Sequence, residues 1–90
     1  MAHILITRRH SISLDKLLAK LKPAVEESAA KFDLEVQWAG STCKFTGMAL
    51  GYLKVGETSL TLAARLSYAA LLHKRMIEKE ISQTLDAVLG

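Results

Sequence analysis

Residues 67–89, SYAALLHKRMIEKEISQTLDAVL, decide the fold because they form the longest uninterrupted helical pattern in the chain. Apolar or small side chains recur there at spacings of three, four and seven, as on one face of an α-helix. They are Ala70, Ile77, Ile81, Thr84, Leu85 and Val88. Ser67 suits the N-cap, and neither Gly nor Pro occurs before Gly90. We therefore expect one long helix that packs this face against a core.

A second apolar face on the same helix needs a partner. Tyr68, Leu72 and Met76 project to the opposite or lateral side, at 100° per residue. Either the first helix covers them within the monomer, or they form an interaction face, since exposed apolar patches on small proteins often mark such sites.

The rest of the chain supplies strands and one further helix. Alternating patterns predict strands at residues 3–9, 34–39, 42–46, 50–55 and 59–66. Ser13 is suited to cap a helix that runs to about Phe32. Pro23 lies inside it and predicts a kink in one bent helix, because the apolar pattern keeps its phase across the proline. Asp33 is expected in the left-handed position that ends the helix.

This order, β-α-β-β-β-β-α, predicts an α+β fold with one domain, residues 1–90. Short turns favour an antiparallel meander, and a crossover through the first helix would bring the first strand beside the fifth. Each strand has one apolar face, so we expect two layers: a sheet of about five strands with both helices on one side.

Composition narrows the class of protein. The chain has 90 residues, half of them hydrophobic, but no apolar run approaches the roughly 18 residues that cross a bilayer, and no signal peptide is recognisable. Cys43 is the only cysteine, which excludes an internal disulfide and fits a reducing cytoplasm. We expect a soluble cytoplasmic protein without a transmembrane segment. The net charge of +3 is a mild basic excess.

No pattern of catalytic or metal-binding residues is found. The three histidines lack metal-site spacing, and Cys43 alternates with Phe45 as a buried residue would. Nucleophile elbow, phosphate loop and dinucleotide fingerprint are all missing. We therefore expect no enzyme, no metal and no cofactor. His10 precedes the first helix and is expected to hydrogen-bond its exposed start, with a binding role as the alternative.

The uncovered sheet face is predicted to be basic. Its candidate residues are Arg9, Lys44, Tyr52, Lys54 and Arg65. The face is either simply solvated, as in many antiparallel sheets, or binds an anionic partner such as single-stranded RNA. Nucleic acid is disfavoured because only one aromatic residue accompanies the charges and no RNA-recognition signature occurs.

One set of residues occurs in a characteristic order and spacing over nearly the full length of the chain: Arg9, His10, Ser11, Phe32, Trp38, Gly40, Phe45, Gly51, Leu53, Val55, Leu60, Leu62, Ala64, Arg65, Leu66, Ile77, Ile81, Leu85, Asp86 and Leu89. In these residues the chain resembles a small bacterial family, the polyhydroxyalkanoic acid system proteins of the polyhydroxyalkanoate granule region. Asp33 stands where the family pattern has Gly, and Pro23 interrupts its first helix. The resemblance implies an association with polyester storage and no known reaction or catalytic residue.

Three functional hypotheses follow. The first is a non-enzymatic accessory protein of polyester storage that binds a protein partner, itself or the granule surface through Tyr68, Leu72 and Met76, and is then granule-associated. The second is a domain that holds a small apolar ligand, such as a hydroxyacyl chain, near Trp38 and Phe45. The third is a weak binder of single-stranded nucleic acid through the basic sheet face.

Overall fold

The computed structural model describes residues 2–90 and contains five strands and three helices within them. In chain order these are β1 (Ile4–Arg9), α1 (Leu14–Lys31), β2 (Glu35–Ala39), β3 (Thr42–Thr46), β4 (Ala49–Val55), β5 (Ser59–Leu66), α2 (Tyr68–Leu71) and α3 (Lys74–Leu89). The strand positions predicted from alternation are correct to within one residue at each end.

The five strands form one antiparallel sheet in the order β1-β5-β4-β3-β2. The predicted meander and the pairing of the first strand with the fifth are both confirmed; in that pairing Ile6 lies opposite Leu62. Because β1 and β2 occupy opposite edges, α1 must carry the chain across the whole sheet.

The core lies between one sheet face and the helices, which confirms the two-layer α+β prediction. The inward residues of the strands are buried, among them Ile4, Leu53 and Leu60, and the α1 and α3 residues Leu21 and Leu85 belong to the same apolar cluster. Arg8, on the helix side of β1, donates from Nε to the Asp86 carboxylate at 3.0 Å and so ties the end of β1 to α3.

Helix α1 passes through Pro23 without a break, as the unbroken phase of its apolar pattern predicts. The kink itself stays a prediction. At its end Asp33 has φ +55°, in the left-handed region. The Leu34 amide donates to the Ala29 carbonyl oxygen at 2.8 Å, which closes the helix as a Schellman motif. At the start, Ser13 is the N-cap but its side chain makes no capping hydrogen bond.

The prediction of one long helix over residues 67–89 is wrong. Helix α2 has four residues, and a turn at Leu72 and His73 separates it from α3. The His73 backbone, at φ −114° and ψ 21°, leaves the helical region, and its carbonyl oxygen accepts from the Ile77 amide to begin α3. The apolar pattern hides this break because Ala70 and Ile77, seven residues apart, are buried on both sides of it.

Strands β4 and β5 approach each other closely at Gly51. A Cβ atom placed there would lie 2.0 Å from the Ala63 carbonyl oxygen and 2.9 Å from the Ala64 Cα. Gly51 lies opposite Ala64 in the register, so the centre of the inward sheet face carries very little side-chain volume. Space is therefore left beneath the helices.

Candidate interaction surfaces and an interior cavity

The turn between α2 and α3 presents an apolar surface, here called the α2–α3 corner: Tyr68, Leu71, Leu72 and Met76. The exposed fractions of Tyr68, Leu72 and Met76 are 90%, 81% and 56%. The interpretation in which α1 covers these three side chains is therefore wrong. The break after α2 allows α3 to follow the core while Tyr68 and Leu72 remain outside it.

The α2–α3 corner also carries positive charge and is held in place by a few specific contacts. Lys74 and Arg75 are both exposed beside its apolar side chains. Ser67 caps α2, its Oγ accepting from the Ala70 amide at 3.2 Å, and the Ser67 amide donates to the Met48 carbonyl oxygen at 2.8 Å. The surface thus combines large apolar side chains around a short, anchored helix with two cations at the start of α3.

The uncovered sheet face has an apolar centre within its basic surroundings. All five residues predicted for the basic face are exposed there, and the pairing registers of β1, β3, β4 and β5 put their side chains on one side. They are Arg9, Lys44, Tyr52, Lys54 and Arg65. The register also sets Leu5 and Tyr52 on either side of Ala63, with Leu50 opposite Arg65. Leu5 and Leu50 are 67% and 52% exposed. The prediction of a basic sheet face did not include these two residues.

His10 does not bind the helix start, so that prediction is wrong. Its Nε2 lies 2.8 Å from the carbonyl oxygen of Gly56 and donates to it, because a carbonyl can only accept. Its backbone amide donates to the Thr58 carbonyl oxygen at 2.9 Å. His10 therefore holds the chain after β1 against the β4–β5 turn, a contact across the sequence that no local pattern signals.

His3 makes a second contact of this kind. Its Nδ1 accepts a hydrogen bond from the Leu66 amide at 2.9 Å. Two of the three histidines thus form hydrogen bonds with backbone groups of the β4–β5 hairpin. Within residues 2–90 no group of three His, Cys, Asp or Glu side chains is arranged to hold a metal ion.

Cys43 is fully buried, in agreement with the interpretation of it as a small core residue. Burial raises the pKa of its thiol, because the thiolate would lose its hydration, and a backbone hydrogen bond with Gln37 opposes the rise in part. A protonated, inaccessible thiol is a poor nucleophile.

Between the sheet and the two long helices lies an apolar cavity of about 70 Å³. Phe45 lines it, as the ligand hypothesis expects. Trp38 does not, which corrects the second half of that expectation: it lies nearer the sheet edge, with the Lys22 Nζ 5.5 Å from its ring centroid.

No helix formed by residues 2–90 combines the length and apolar character that crossing a membrane requires. A family model described as "Putative polyhydroxyalkanoic acid system protein (PHA_gran_rgn)" matches residues 4–89. The chain belongs to this family. The searches of curated proteins and of solved structures returned no significant match.

Several residues within the region that matches the polyhydroxyalkanoic acid system proteins have structural tasks. Gly51 permits the close approach of β4 and β5, and Asp86 holds Arg8. Phe32 is the C-cap of α1 and packs against the core. These residues therefore serve the fold, and the α2–α3 corner, the uncovered sheet face and the cavity remain as candidate sites.

Proposed function

We propose that the protein is a non-enzymatic, cytoplasmic accessory protein of the polyhydroxyalkanoate system that binds the surface of the polyester granule through the α2–α3 corner. Family membership supports the system, and the exposure of Tyr68, Leu72 and Met76 supports the site. The observation that carries the proposal is that these three large apolar side chains are 90%, 81% and 56% exposed within residues 2–90.

The chemistry of the α2–α3 corner suits an interface between water and an apolar phase. Surfaces that bind at such interfaces combine apolar side chains, which enter the apolar phase, with Lys and Arg, which remain at the boundary and attract anionic groups. Leu72 and Met76 supply the first kind, Lys74 and Arg75 the second. Self-association through the same surface is disfavoured, since a two-fold contact brings these cations face to face.

The test is a double substitution, Leu72→Ser with Met76→Ser, assayed by co-sedimentation with isolated polyester granules. Burial of a Leu or Met side chain contributes about 1.5–3 kcal/mol. Loss of both side chains should lower the apparent affinity for granules roughly a hundredfold or more, and the co-sedimenting fraction should fall accordingly. Added salt should weaken binding of the parent protein, because the cations contribute through screened attraction.

The matched control is Leu5→Ser with Leu50→Ser, which makes the same kind of change on the uncovered sheet face. Both proteins must first show the thermal unfolding transition of a folded domain. Retention of granule binding by the control and its loss in the corner variant support the proposal. A folded corner variant that sediments with granules as the parent does overturns it, as does a parent that binds only a protein partner or another copy of itself.

A further inference from the structure

The interior cavity is a second candidate site, independent of the α2–α3 corner. Its walls come from both layers: Val25 and Ala29 of α1, Ile81 and Leu85 of α3, and Ala49 and Ala64 of the sheet are among them. Nearly every side chain that faces it is apolar. It exists because the sheet centre beneath the helices carries small residues, so α1 and α3 rest on the larger side chains around that centre.

The cavity leads toward the outer seam between the two helices. Ser28 and Thr84 line the cavity and also line a shallow groove on the outside of α1 and α3, where Lys31 and Glu27 lie. These two half-buried residues are short and polar. The Thr84 hydroxyl donates to the Glu80 carbonyl oxygen at 3.0 Å, so it is held within its own helix. Small polar side chains thus mark the boundary between an apolar interior and a charged exterior.

A cation stands beside this boundary. Lys31 Nζ lies 3.4 Å from a Glu80 carboxylate oxygen, and both side chains are well exposed. This length and exposure make it a weak, exchangeable pair. A carboxylate arriving from the cavity side can take the place of Glu80 at Lys31.

We propose that the cavity binds the hydrocarbon chain of a short fatty acid, with the carboxylate at Lys31 and the chain passing between Ser28 and Thr84. An apolar cavity of about 150 Å³ holds a six-carbon ring, so about 70 Å³ suits the last two or three carbons of such a chain, with the remaining carbons at the mouth between Ser28 and Thr84. An apolar cavity of this size stays dry and favours an apolar occupant. The ligand class follows from the shape and chemistry of the site: apolar inside, short polar residues at the mouth, one exchangeable cation outside.

The test uses hexanoate, followed by the NMR signals of Ile, Leu and Val methyl groups in the intact protein. Hexanoate should produce saturable shifts at Val25, Ile81 and Leu85. The methyls of Leu5 and Leu50 on the uncovered sheet face should not move. Trp38 fluorescence is a poor reporter, since Trp38 does not line the cavity.

Two substitutions narrow the mouth or the interior. Thr84→Leu should weaken hexanoate binding by at least about tenfold, a change of the size that one methylene makes in an apolar pocket. Ala29→Leu fills the interior of the cavity and should likewise weaken hexanoate binding, so it replaces Thr84→Leu if that variant does not fold. Thr46→Leu, an equivalent change at an exposed position, is the control and should bind as the parent does.

The anchor is tested by comparing hexanoate with hexanol. Lys31→Gln should weaken hexanoate binding and leave hexanol binding unchanged. Equal effects on both, no saturable shift at millimolar concentration, or shifts confined to Leu71 and Leu72 would each overturn the proposal and leave a packing void only. The Leu72→Ser, Met76→Ser protein should bind hexanoate normally, so failure of one proposal is separable from failure of the other.

Discussion

At the scale of single residues, Gly51 is the position where the sheet tolerates least change. A methyl group there meets the Ala63 carbonyl oxygen at 2.0 Å, and that atom is backbone in a central strand, so it cannot move aside without separating β4 from β5. Gly51→Ala should therefore lower the free energy of unfolding by about 3 kcal/mol or more, measured by urea denaturation.

Gly40→Ala is the comparison for this prediction. Gly40 has φ +61°, but a Cβ there meets nothing within 4 Å. The substitution should cost only the backbone strain of a left-handed alanine, about 1–2 kcal/mol. If the two variants are equally stable, the close approach of β4 and β5 does not limit the residue at position 51.

Cys43 provides a prediction about pH. Below about pH 8.5 the thiol is protonated in both the folded and unfolded states. At higher pH the unfolded thiol ionises while burial, which raises the pKa of Cys43, keeps the folded thiol protonated. The folded state then binds more protons, so the free energy of unfolding falls as pH rises between the ordinary and the raised pKa.

Cys43→Ala removes this contribution. The difference in the free energy of unfolding between parent and variant should shrink as pH rises through that window, measured by urea denaturation at a series of pH values. A pH-independent difference would mean that the thiol ionises as easily in the folded protein as in the unfolded chain.

Residues also show where sequence reasoning reached its limit. Asp33 was predictable because helix ends depend on local backbone preferences, and Cys43 because its alternation with Phe45 assigns a face. The partner of His10 was not, since Gly56 is brought to it only by the β1–β5 pairing. The same holds for His3 and Leu66.

At the scale of elements, Pro23 lowers the stability of α1 because it removes one hydrogen bond from the helix. The proline cannot donate to the Ala19 carbonyl oxygen, yet it is exposed and packs against nothing in the core. Pro23→Ala should raise the free energy of unfolding by about 1–3 kcal/mol, the helix-propensity difference reduced by the greater freedom of the unfolded chain. Thermal and urea unfolding measure it.

Lys20→Ala, at another exposed position of α1, controls for general effects of alanine and should change stability by no more than about 0.5 kcal/mol. Loss of stability in Pro23→Ala would instead show that α1 needs the bend at the proline to follow the twist of the sheet.

The last helical segment shows why element boundaries escape sequence patterns. Periodicity correctly assigned the buried face of α3, because Ile77 and Leu85 recur with helical spacing. It missed the turn at His73, because a seven-residue interval preserves the apolar phase whether or not the helix is continuous. The exposure of Leu72 follows from that turn, so periodicity identifies Leu72 as a residue off the core face but does not reveal the turn that exposes it.

At the scale of the whole molecule, the two-layer arrangement was predictable because every strand and helix has a single apolar face. The cavity was not. The cavity depends on the small combined volume of Ala49, Ala64 and Ala29 where three elements meet. A linear pattern does not show which side chains meet in space, so it does not predict this volume. The apolar centre of the uncovered sheet face was not predictable for the same reason, since Leu5 and Tyr52 come together only because both lie opposite Ala63 in the sheet.

The strand order also determines when the protein can fold. Strands β2 to β5 pair with their neighbours in sequence, so this meander can form as soon as it is synthesised, whereas β1 needs β5 as its partner. On the ribosome β1 therefore emerges before β2 to β5 and waits for β5 before it can pair. During that interval the edge of β1 and the apolar face of α1 are open to other chains, which makes this the stage at which the nascent protein is exposed to aggregation.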